Sequence, residues 1–247
     1  MNNKVNILGV KIDKVNICKA TETILDFIEM DDGAKTVYTP NSEIVMQGYR
    51  SEEMRNILNS ADLLTADGIG VVYASKILKN PISERCAGFD VACNLLQKMG
   101  EKGKSVYLFG SKPGVAELAG ENIKKKYPGI VIKGVNDGYF DSEKEKQIIE
   151  DINNVNPDVL FVCLGAPKQE KWIYENKDKL KCKVCMGLGG SLDVFAGTVE
   201  RAPEFYQKHG IEWLYRLIKQ PKRFFRMLDL PKFAVTVILK GKKFKQE

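Results

Sequence analysis

Short apolar runs alternate with amphipathic stretches along most of this chain. Residues 105–110 and 158–164 are almost continuously apolar, which is typical of strands buried on both faces of a parallel sheet. Helical spacing of the apolar residues that follow predicts helices over 115–127 and 143–154. The same alternation predicts further strands over 4–12, 35–39, 63–65, 129–134 and 183–188, and further helices over 19–30, 50–60 and 168–180. We therefore expect an α/β fold with a Rossmann-like, mostly parallel sheet and helices on both faces.

Polar side chains and glycines follow these predicted strands, where ligands of open parallel sheets bind. The glycine-containing loops 110–114 and 187–190 could place backbone N–H groups near phosphate oxygens, but neither is a complete nucleotide-binding fingerprint, and tight turns remain the alternative. Asp67 lies in a sharp turn, where its carboxylate either accepts a proton from a substrate or hydrogen-bonds its own turn. Arg85 with Asp90 is either a diphosphate clamp or a surface ion pair.

The net positive charge of the chain is concentrated in its last 38 residues. Residues 210–247 contain 10 Lys or Arg and 3 Asp or Glu, whereas the first 209 residues contain 28 and 29. The segment is also rich in aromatic and aliphatic residues, but its longest uncharged apolar run, 233–239, is too short to span a bilayer. We expect an α/β domain over 1–209 and a basic, amphipathic helical appendage over 210–247 that lies on an anionic membrane surface.

One face of the appendage is predicted to carry several cations. Arg216, Lys219, Arg223 and Arg226 recur at helical spacing, which is compatible with a functional face or with a simple solvated one. No Asp-x-Asp triplet of the kind that holds Mn²⁺ or Mg²⁺ in many nucleotide-sugar transferases occurs, so cations of the protein would have to balance a leaving diphosphate. We expect no metal site and no cofactor.

The cysteines and the single histidine are predicted to be structural. The start of the chain lacks the pattern of a secretion signal, so we expect the six scattered cysteines to be reduced. Cys182 and Cys185 have the spacing of a redox or zinc motif, but they run into a predicted strand rather than opening a helix. His209 has no partner at metal spacing, and we assign it no catalytic role.

A series of motifs resembles the WecG/TagA/CpsF glycosyltransferases, glycosyltransferase family 26, and in particular the TagA branch. They occur in family order across nearly the whole chain: Thr39-Pro-Asn-Ser-Glu43, Ala66-Asp-Gly-Ile-Gly70, Arg85-Cys-Ala-Gly-Phe-Asp90, Leu108-Phe-Gly110, Asn136-Asp-Gly-Tyr-Phe140, Leu164-Gly-Ala-Pro-Lys-Gln-Glu170, Gly187-Leu-Gly-Gly-Ser-Leu-Asp193, Ala196-Gly197, Arg201-Ala-Pro203 and Gly210-Ile-Glu-Trp-Leu-Tyr-Arg-Leu217. The combination is more specific than any single motif.

The resemblance implies a metal-independent, inverting transferase that moves N-acetylmannosamine from UDP-ManNAc to undecaprenyl-diphosphate-linked GlcNAc. The product would be the ManNAc-β-1,4-GlcNAc linkage unit of wall teichoic acid. The enzyme would act at the cytoplasmic face of the bacterial cell membrane as a peripheral protein, with homo-oligomers possible.

The resemblance also implies roles for individual residues. Asp67 would be the general base for the acceptor hydroxyl. Thr39 and Asn41 would position donor or acceptor, and Arg85 and Gln169 would hold the diphosphate or the sugar. Arg216, Arg223 and Arg226 would complete a diphosphate clamp when the appendage closes over the site.

Two other classes of protein remain open. A nucleotide-binding oxidoreductase or epimerase is disfavoured because the full Gly-x-Gly-x-x-Gly fingerprint is missing. A nucleic-acid-binding module is disfavoured because the body is nearly neutral and the basic appendage is strongly apolar. The residues alone do not distinguish one UDP-sugar donor from another.

Overall fold

A parallel sheet and a separate hairpin contain the strands of this chain. The computed structural model describes residues 3–219, 221 and 228–246, without the side chains of Lys208, Arg216, Lys245 and Gln246. In chain order the strands are β1 (Lys4–Ile7), β2 (Val10–Asp13), β3 (Lys35–Tyr38), β4 (Leu63–Leu64), β5 (Ser105–Gly110), β6 (Val131–Asn136), β7 (Val159–Cys163) and β8 (Val184–Gly187). Within the described residues, β3 to β8 form one six-stranded sheet in the order β4-β3-β8-β7-β5-β6, and all its pairings are parallel.

Helices connect and cover the strands. They are α1 (Ile17–Glu29), α2 (Ser42–Arg50), α3 (Glu52–Asn59), α4 (Ile69–Ile77), α5 (Gly88–Glu101), α6 (Val115–Lys126), α7 (Ser142–Val155), α8 (Lys168–Asn176), α9 (Ser191–Phe195), α10 (Glu204–Lys208), α11 (Glu212–Lys219) and α12 (Asp229–Lys240), with 3₁₀ turns at Lys177–Lys179 and Gly241–Gln246. Asn41 caps α2, because its side-chain oxygen accepts a hydrogen bond from the amide of Ile44 at 3.1 Å.

The sheet is buried on both faces, which confirms the predicted fold class. Along β5, Tyr107 and Phe109 belong to one apolar cluster, whereas Val106 and Leu108 belong to the cluster on the opposite face. The first cluster also contains residues of α2, α3, α7 and α8, and the second contains residues of α1, α5, α6 and α9. Both side-chain directions of the strand are therefore apolar, and this explains its uninterrupted apolar sequence.

The structure corrects the prediction of one strand over residues 4–12. Leu8 and Gly9 have positive φ values of 56° and 92° and turn the chain, so β1 and β2 pair antiparallel outside the main sheet. The side-chain oxygen of Asn6 accepts a hydrogen bond from the amide of Gly9 at 2.8 Å and supports this turn. A glycine inside an apolar run here marks a hairpin rather than a strand interior.

The described part of the appendage packs against the N-terminal half of the fold. Phe233 and Val237 of α12 are buried, and the helix contacts α2 and α4. Asp229 at its start accepts two hydrogen bonds from Arg50, at 2.7 and 3.2 Å. The 3₁₀ turn after α12 reaches the β1–β2 hairpin, where the ring of Phe244 lies beside Gly9.

The opposite side of α12 is exposed and apolar. Val235, Ile238 and Leu239 are 55%, 59% and 72% exposed. Among the helices described, none is long and apolar enough to cross a membrane. The division into 1–209 and 210–247 stays a prediction.

Candidate active site at the carboxyl edge of the sheet

Asp67 lies directly after β4, at the carboxyl edge of the sheet. Its backbone amide donates to the carbonyl of Pro40 at 3.1 Å, and its Oδ2 accepts from the amide of Gly88 at 3.3 Å. Gly68 follows with a φ of 120°, a conformation that a side chain would strain, so the chain turns sharply into α4. The backbone of three segments thus fixes the position of this carboxylate.

A cavity of about 650 Å³ surrounds this carboxylate. The sheet edge contributes polar groups, and the segment around α11 and the start of α12 contribute the facing wall. The described lining residues are Asn41, Ser42, Glu43, Asp67, Gly68, Ile69, Gly70, Tyr73, Arg85, His209, Gly210, Ile211, Glu212, Trp213, Leu230 and Pro231. The lining therefore combines polar and charged side chains with the apolar surface of Tyr73, Trp213 and Leu230.

Arg85 is part of an ion-pair network that joins the body to α11. Its guanidinium contacts the carboxylate of Glu212 in α11 and lies 3.3 Å from that of Asp90 in α5. Arg201 contacts the same two carboxylates, at 2.6 Å for Asp90 and 3.8 Å for Glu212, and stacks 5.0 Å from the ring centroid of Phe89. Two cations and two anions thus hold the start of the appendage over the cavity.

The charge of Arg85 is stabilised by these neighbours. Burial acts to lower the pKa of its guanidinium, but the carboxylates of Glu212, Asp67 and Asp90 outweigh burial and raise it. The site therefore keeps a permanent cation close to Asp67. The arrangement is compatible with both interpretations of Arg85, as a diphosphate clamp and as an ion pair, because the residue lines the cavity and also contacts carboxylates.

Thr39 and Gln169 support the loops around the cavity rather than lining it. The hydroxyl of Thr39 donates to the carbonyl of Gly187 at 3.3 Å, and a Cβ on Gly88 would lie only 2.7 Å from that hydroxyl. Gln169 is 3% exposed, and its side-chain oxygen accepts from the amide of Gly189 at 2.8 Å. Neither is among the described lining residues, whereas Asn41, Asp67 and Arg85 are.

The predicted arginine face cannot be placed in full. Arg216 lies in α11, but its side chain is outside the described part of the structure. Arg223 and Arg226 lie outside the described residues entirely. Sequence reasoning missed the contribution of His209, whose ring stacks on Phe205 at 4.3 Å and whose residue borders the cavity. No local pattern would have revealed it, because the wall forms only when the appendage meets α4.

The remaining candidates for metal or redox chemistry have structural surroundings. Cys182 and Cys185 are buried free thiols with their sulfur atoms 3.3 Å apart. The hydrogen bond with Cys182 and burial raise the pKa of Cys185, which disfavours a reactive thiolate. Within residues 3–219, 221 and 228–246, no group of three or more His, Cys, Asp or Glu side chains is placed to hold a metal ion.

Comparison with known proteins gives consistent matches along the chain. The family model described as "Glycosyl transferase WecG/TagA/CpsF family" matches residues 5–247. Three similar proteins are each named N-acetylglucosaminyldiphosphoundecaprenol N-acetyl-beta-D-mannosaminyltransferase. The protein of Bacillus spizizenii is 40% identical over 87% of this chain and 82% of its own length, and that of Bacillus subtilis is 38% identical over 87% and 83%. The protein of Staphylococcus aureus strain MRSA252 is 35% identical over 98% of this chain and 95% of its own.

Proposed function

Because this chain belongs to the WecG/TagA/CpsF glycosyltransferase family, we propose that it transfers N-acetylmannosamine from UDP-ManNAc to GlcNAc-diphosphoundecaprenol. The product is the ManNAc-β-1,4-GlcNAc disaccharide that links wall teichoic acid to its lipid carrier. The observation that carries the proposal is Asp67, a carboxylate held at a strand end inside a cavity of about 650 Å³. This cavity is the right size for small substrates to meet a fixed proton acceptor.

Asp67 is the general base of this reaction. Its carboxylate takes the proton of the GlcNAc O4 hydroxyl as that oxygen attacks C1 of the mannosamine. The bond from C1 to the β-phosphate oxygen breaks at the same time, UDP leaves with the bonding electrons, and the configuration at C1 inverts. The hydrogen bond from the Gly88 amide supports the proposal, because it holds the carboxylate without supplying a charge.

Cationic side chains of the protein stabilise the leaving diphosphate in place of a metal ion. Arg85 lies on the cavity and is kept charged by its carboxylate neighbours. Arg216, Arg223 and Arg226 of the appendage complete the clamp. Asn41 contacts the sugar, and Thr39 and Gln169 act through the loop after β8, which both support.

The enzyme acts as a peripheral protein at the cytoplasmic face of the membrane that holds its acceptor. The exposed face of α12 provides Val235, Ile238 and Leu239. Exposed lysines flank this apolar face: Lys232, Lys240, Lys242 and Lys243. Each lysine near an anionic leaflet contributes about 1 kcal/mol, so together with the buried apolar area they give useful affinity. The alternative is that a second copy of the chain packs against this apolar face of α12.

Asp67→Asn tests the catalytic assignment. The amide still accepts a hydrogen bond from Gly88 but cannot take the substrate proton, so we expect kcat to fall about 10²- to 10⁴-fold. Binding of the UDP-sugar should change little. Asp26→Asn, at an exposed position of α1, is the matched control and should retain parental kcat.

Transfer is measured with several UDP-sugars and a lipid-linked GlcNAc acceptor, with and without EDTA. Turnover with UDP-ManNAc should persist in EDTA. An active Asp67→Asn variant would refute the base assignment, preference for another UDP-sugar would refute the donor, and a strict need for a divalent metal would refute the cationic clamp.

A further inference from the structure

The charges around the catalytic cavity do not suit the diphosphate that it is proposed to bind. Among its described lining residues, carboxylates belong to Glu43, Asp67 and Glu212, and the guanidinium of Arg85 is the one permanent cation. A diphosphate brings several negative charges, which nearby carboxylates repel. Arg85 also contacts the carboxylate of Glu212. The donor can therefore use this cation fully only if a carboxylate gives up its contact with it.

Arg85 and Arg201 share the same two carboxylates. Oε2 of Glu212 contacts Nη1 of Arg85, and Oε1 of the same carboxylate lies 3.8 Å from Nε of Arg201. Asp90 is placed in the same way, with Oδ2 lying 3.3 Å from Arg85 and Oδ1 lying 2.6 Å from Arg201. Each carboxylate thus faces both guanidinium groups. A small movement of the Glu212 side chain is enough to change its main partner from Arg85 to Arg201.

Arg201 is placed to be that second partner. Its guanidinium stacks on the ring of Phe89, which supports the group from one side. Its contact with Glu212 is the longest of the four contacts in the network, so it is the one that can shorten. Arg201 is not among the described lining residues of the catalytic cavity, whereas Arg85 and Glu212 are. The motif Arg201-Ala-Pro203 thus supplies a cation for Glu212 rather than for the cavity.

The cavity wall that contains Glu212 is also anchored by contacts other than its ion pairs. A Cβ on Gly210 would lie 3.0 Å from the side chain of Ile69, so the backbone packs closely against the start of α4. The rings of Tyr206 and Tyr215 lie 5.3 Å apart and join α10 to α11. The carboxylate of Glu212 can therefore change partners while α11 stays in place.

We infer that Glu212 occupies at Arg85 the place that a phosphate of the donor takes, and that Arg201 receives the Glu212 carboxylate when the diphosphate binds. The exchange keeps the charges paired, because the diphosphate replaces the carboxylate at Arg85 and the carboxylate moves onto Arg201. Glu212 thus competes with the donor, and Arg201 is a positioning residue that removes the competitor. This inference rests on the proposed function for the identity of the donor as a nucleoside diphosphate sugar.

Binding of UDP and of UMP to the full-length protein, measured by isothermal titration calorimetry, tests the exchange, because only UDP brings the second phosphate. Glu212→Gln removes the competing charge but keeps the size of the side chain, so UDP should bind about tenfold more tightly. UMP affinity should stay within about twofold of the parental value. Glu200→Gln is the matched control and should leave both affinities unchanged, because this carboxylate is 78% exposed and pairs with Lys219 at the end of α11.

Substitution of Arg201 should have the opposite effect on UDP. Arg201→Gln should weaken UDP about tenfold, because Glu212 then stays at Arg85, and Arg201→Lys, which keeps the charge, should recover most of the loss. In the Glu212→Gln background no competitor remains, so Arg201→Gln should change UDP affinity by less than about twofold. A purely structural role would not give this pattern, because lost packing at Arg201 would weaken UDP whichever residue stands at position 212.

The outcomes separate this inference from the proposed function. Hydrogen exchange of the α11 amides shows whether the wall stays in place in each variant. If Glu212→Gln binds UDP no more tightly than the parent, or loses protection of α11, the ion pair is only a structural contact and the inference is overturned. Additive effects of Glu212→Gln and Arg201→Gln on UDP affinity would overturn it as well. If the exchange is observed but no ManNAc is transferred, only the proposed function is overturned. A protein that does not bind UDP overturns both.

Discussion

The C-terminal helix α12 has two faces, and substituting one at a time separates closure of the active site from contact with a membrane. Phe233 and Val237 are 2% and 1% exposed, whereas Ile238 next to them is 59% exposed. Leu230 and Pro231, one turn before Phe233, are part of the catalytic cavity wall. Loss of the buried face should therefore open the cavity, and loss of the exposed face should not.

The size of the effect follows from burial. Removing a buried phenylalanine side chain costs about 3–5 kcal/mol. If the docking of α12 carries that loss, Phe233→Ala lowers the ratio of docked to undocked helix about 10²- to 10⁴-fold, since each 1.4 kcal/mol is a factor of ten. The ion pair between Asp229 and Arg50 remains, but an exposed pair contributes at most about 1 kcal/mol. We therefore expect at least a tenfold fall in turnover.

Turnover is measured on a water-soluble, short-chain acceptor, and docking is measured by hydrogen exchange of the α12 amides. Phe233→Ala should lower both the turnover of the soluble acceptor and the protection of the α12 amides. Ile238→Ala is the matched control on the same helix: it should keep parental turnover and amide protection, and it should bind anionic vesicles more weakly. If Phe233→Ala loses the protection of α12 but turns over the soluble acceptor at the parental rate, the reasoning fails, and the helix is only a membrane contact.

Two further substitutions test the packing around the site. Gly88→Ala should lower kcat roughly tenfold, because its Cβ would lie 2.7 Å from the Thr39 hydroxyl and would displace the amide that holds Asp67. Gly120→Ala is the control and should keep parental kcat, because the nearest neighbours of its Cβ would lie 3.6 Å away, at ordinary van der Waals contact. Equal kcat values for the two variants would contradict this. Burial raises the pKa of the Glu170 carboxyl above its ordinary value of 4.5. Above pH 4.5 the folded state therefore keeps a proton that the unfolded state loses. The free energy of unfolding then falls as the pH rises from 4.5 through the folded-state pKa. Glu170→Gln should remove that loss, and its gain in Tm over the parent should be larger near pH 7 than near pH 4; a gain independent of pH would refute the assignment.

The sequence predicted the central strands well because their burial on both faces leaves an unmistakable pattern. β5 was predicted at its observed bounds. Helix α4 was not predicted, because Val71, Val72 and Ala74 are all buried and its apolar residues do not mark a single face. The hairpin at Leu8 and Gly9 was hidden by the apolar residues on either side of the turn. Patterns of period two or 3.6 fail where apolar residues also occupy the exposed side of a helix, as Tyr73 and Ile77 do in α4, or where the chain bends sharply.

For the site, the sequence placed side chains at strand ends but could not supply their long-range partners. Asp67 was predicted at the carboxyl edge because it follows a strand, and the structure places it there. The contact of Arg85 with Glu212 joins residues 127 positions apart, and nothing local in the chain signals it. Gln169 is predicted to hold substrate, and the sequence gives no sign that its buried side chain also accepts a hydrogen bond from the Gly189 amide; its contact with substrate stays a prediction. Such contacts depend on how distant segments pack together.

Segments far apart in the sequence meet around the site: the turn containing Phe244 packs beside Gly9, and the cavity wall includes Leu230 and Pro231. A polypeptide emerges from the ribosome N-terminus first, and the strands of the sheet can begin to fold before residues 230–244 are made. The support of the hairpin and this part of the cavity wall are then added only once those residues have been synthesised. A nascent chain that lacks them, or a variant truncated before residue 230, therefore carries Asp67 in an incomplete cleft, and we expect it to transfer sugar more slowly than the parent.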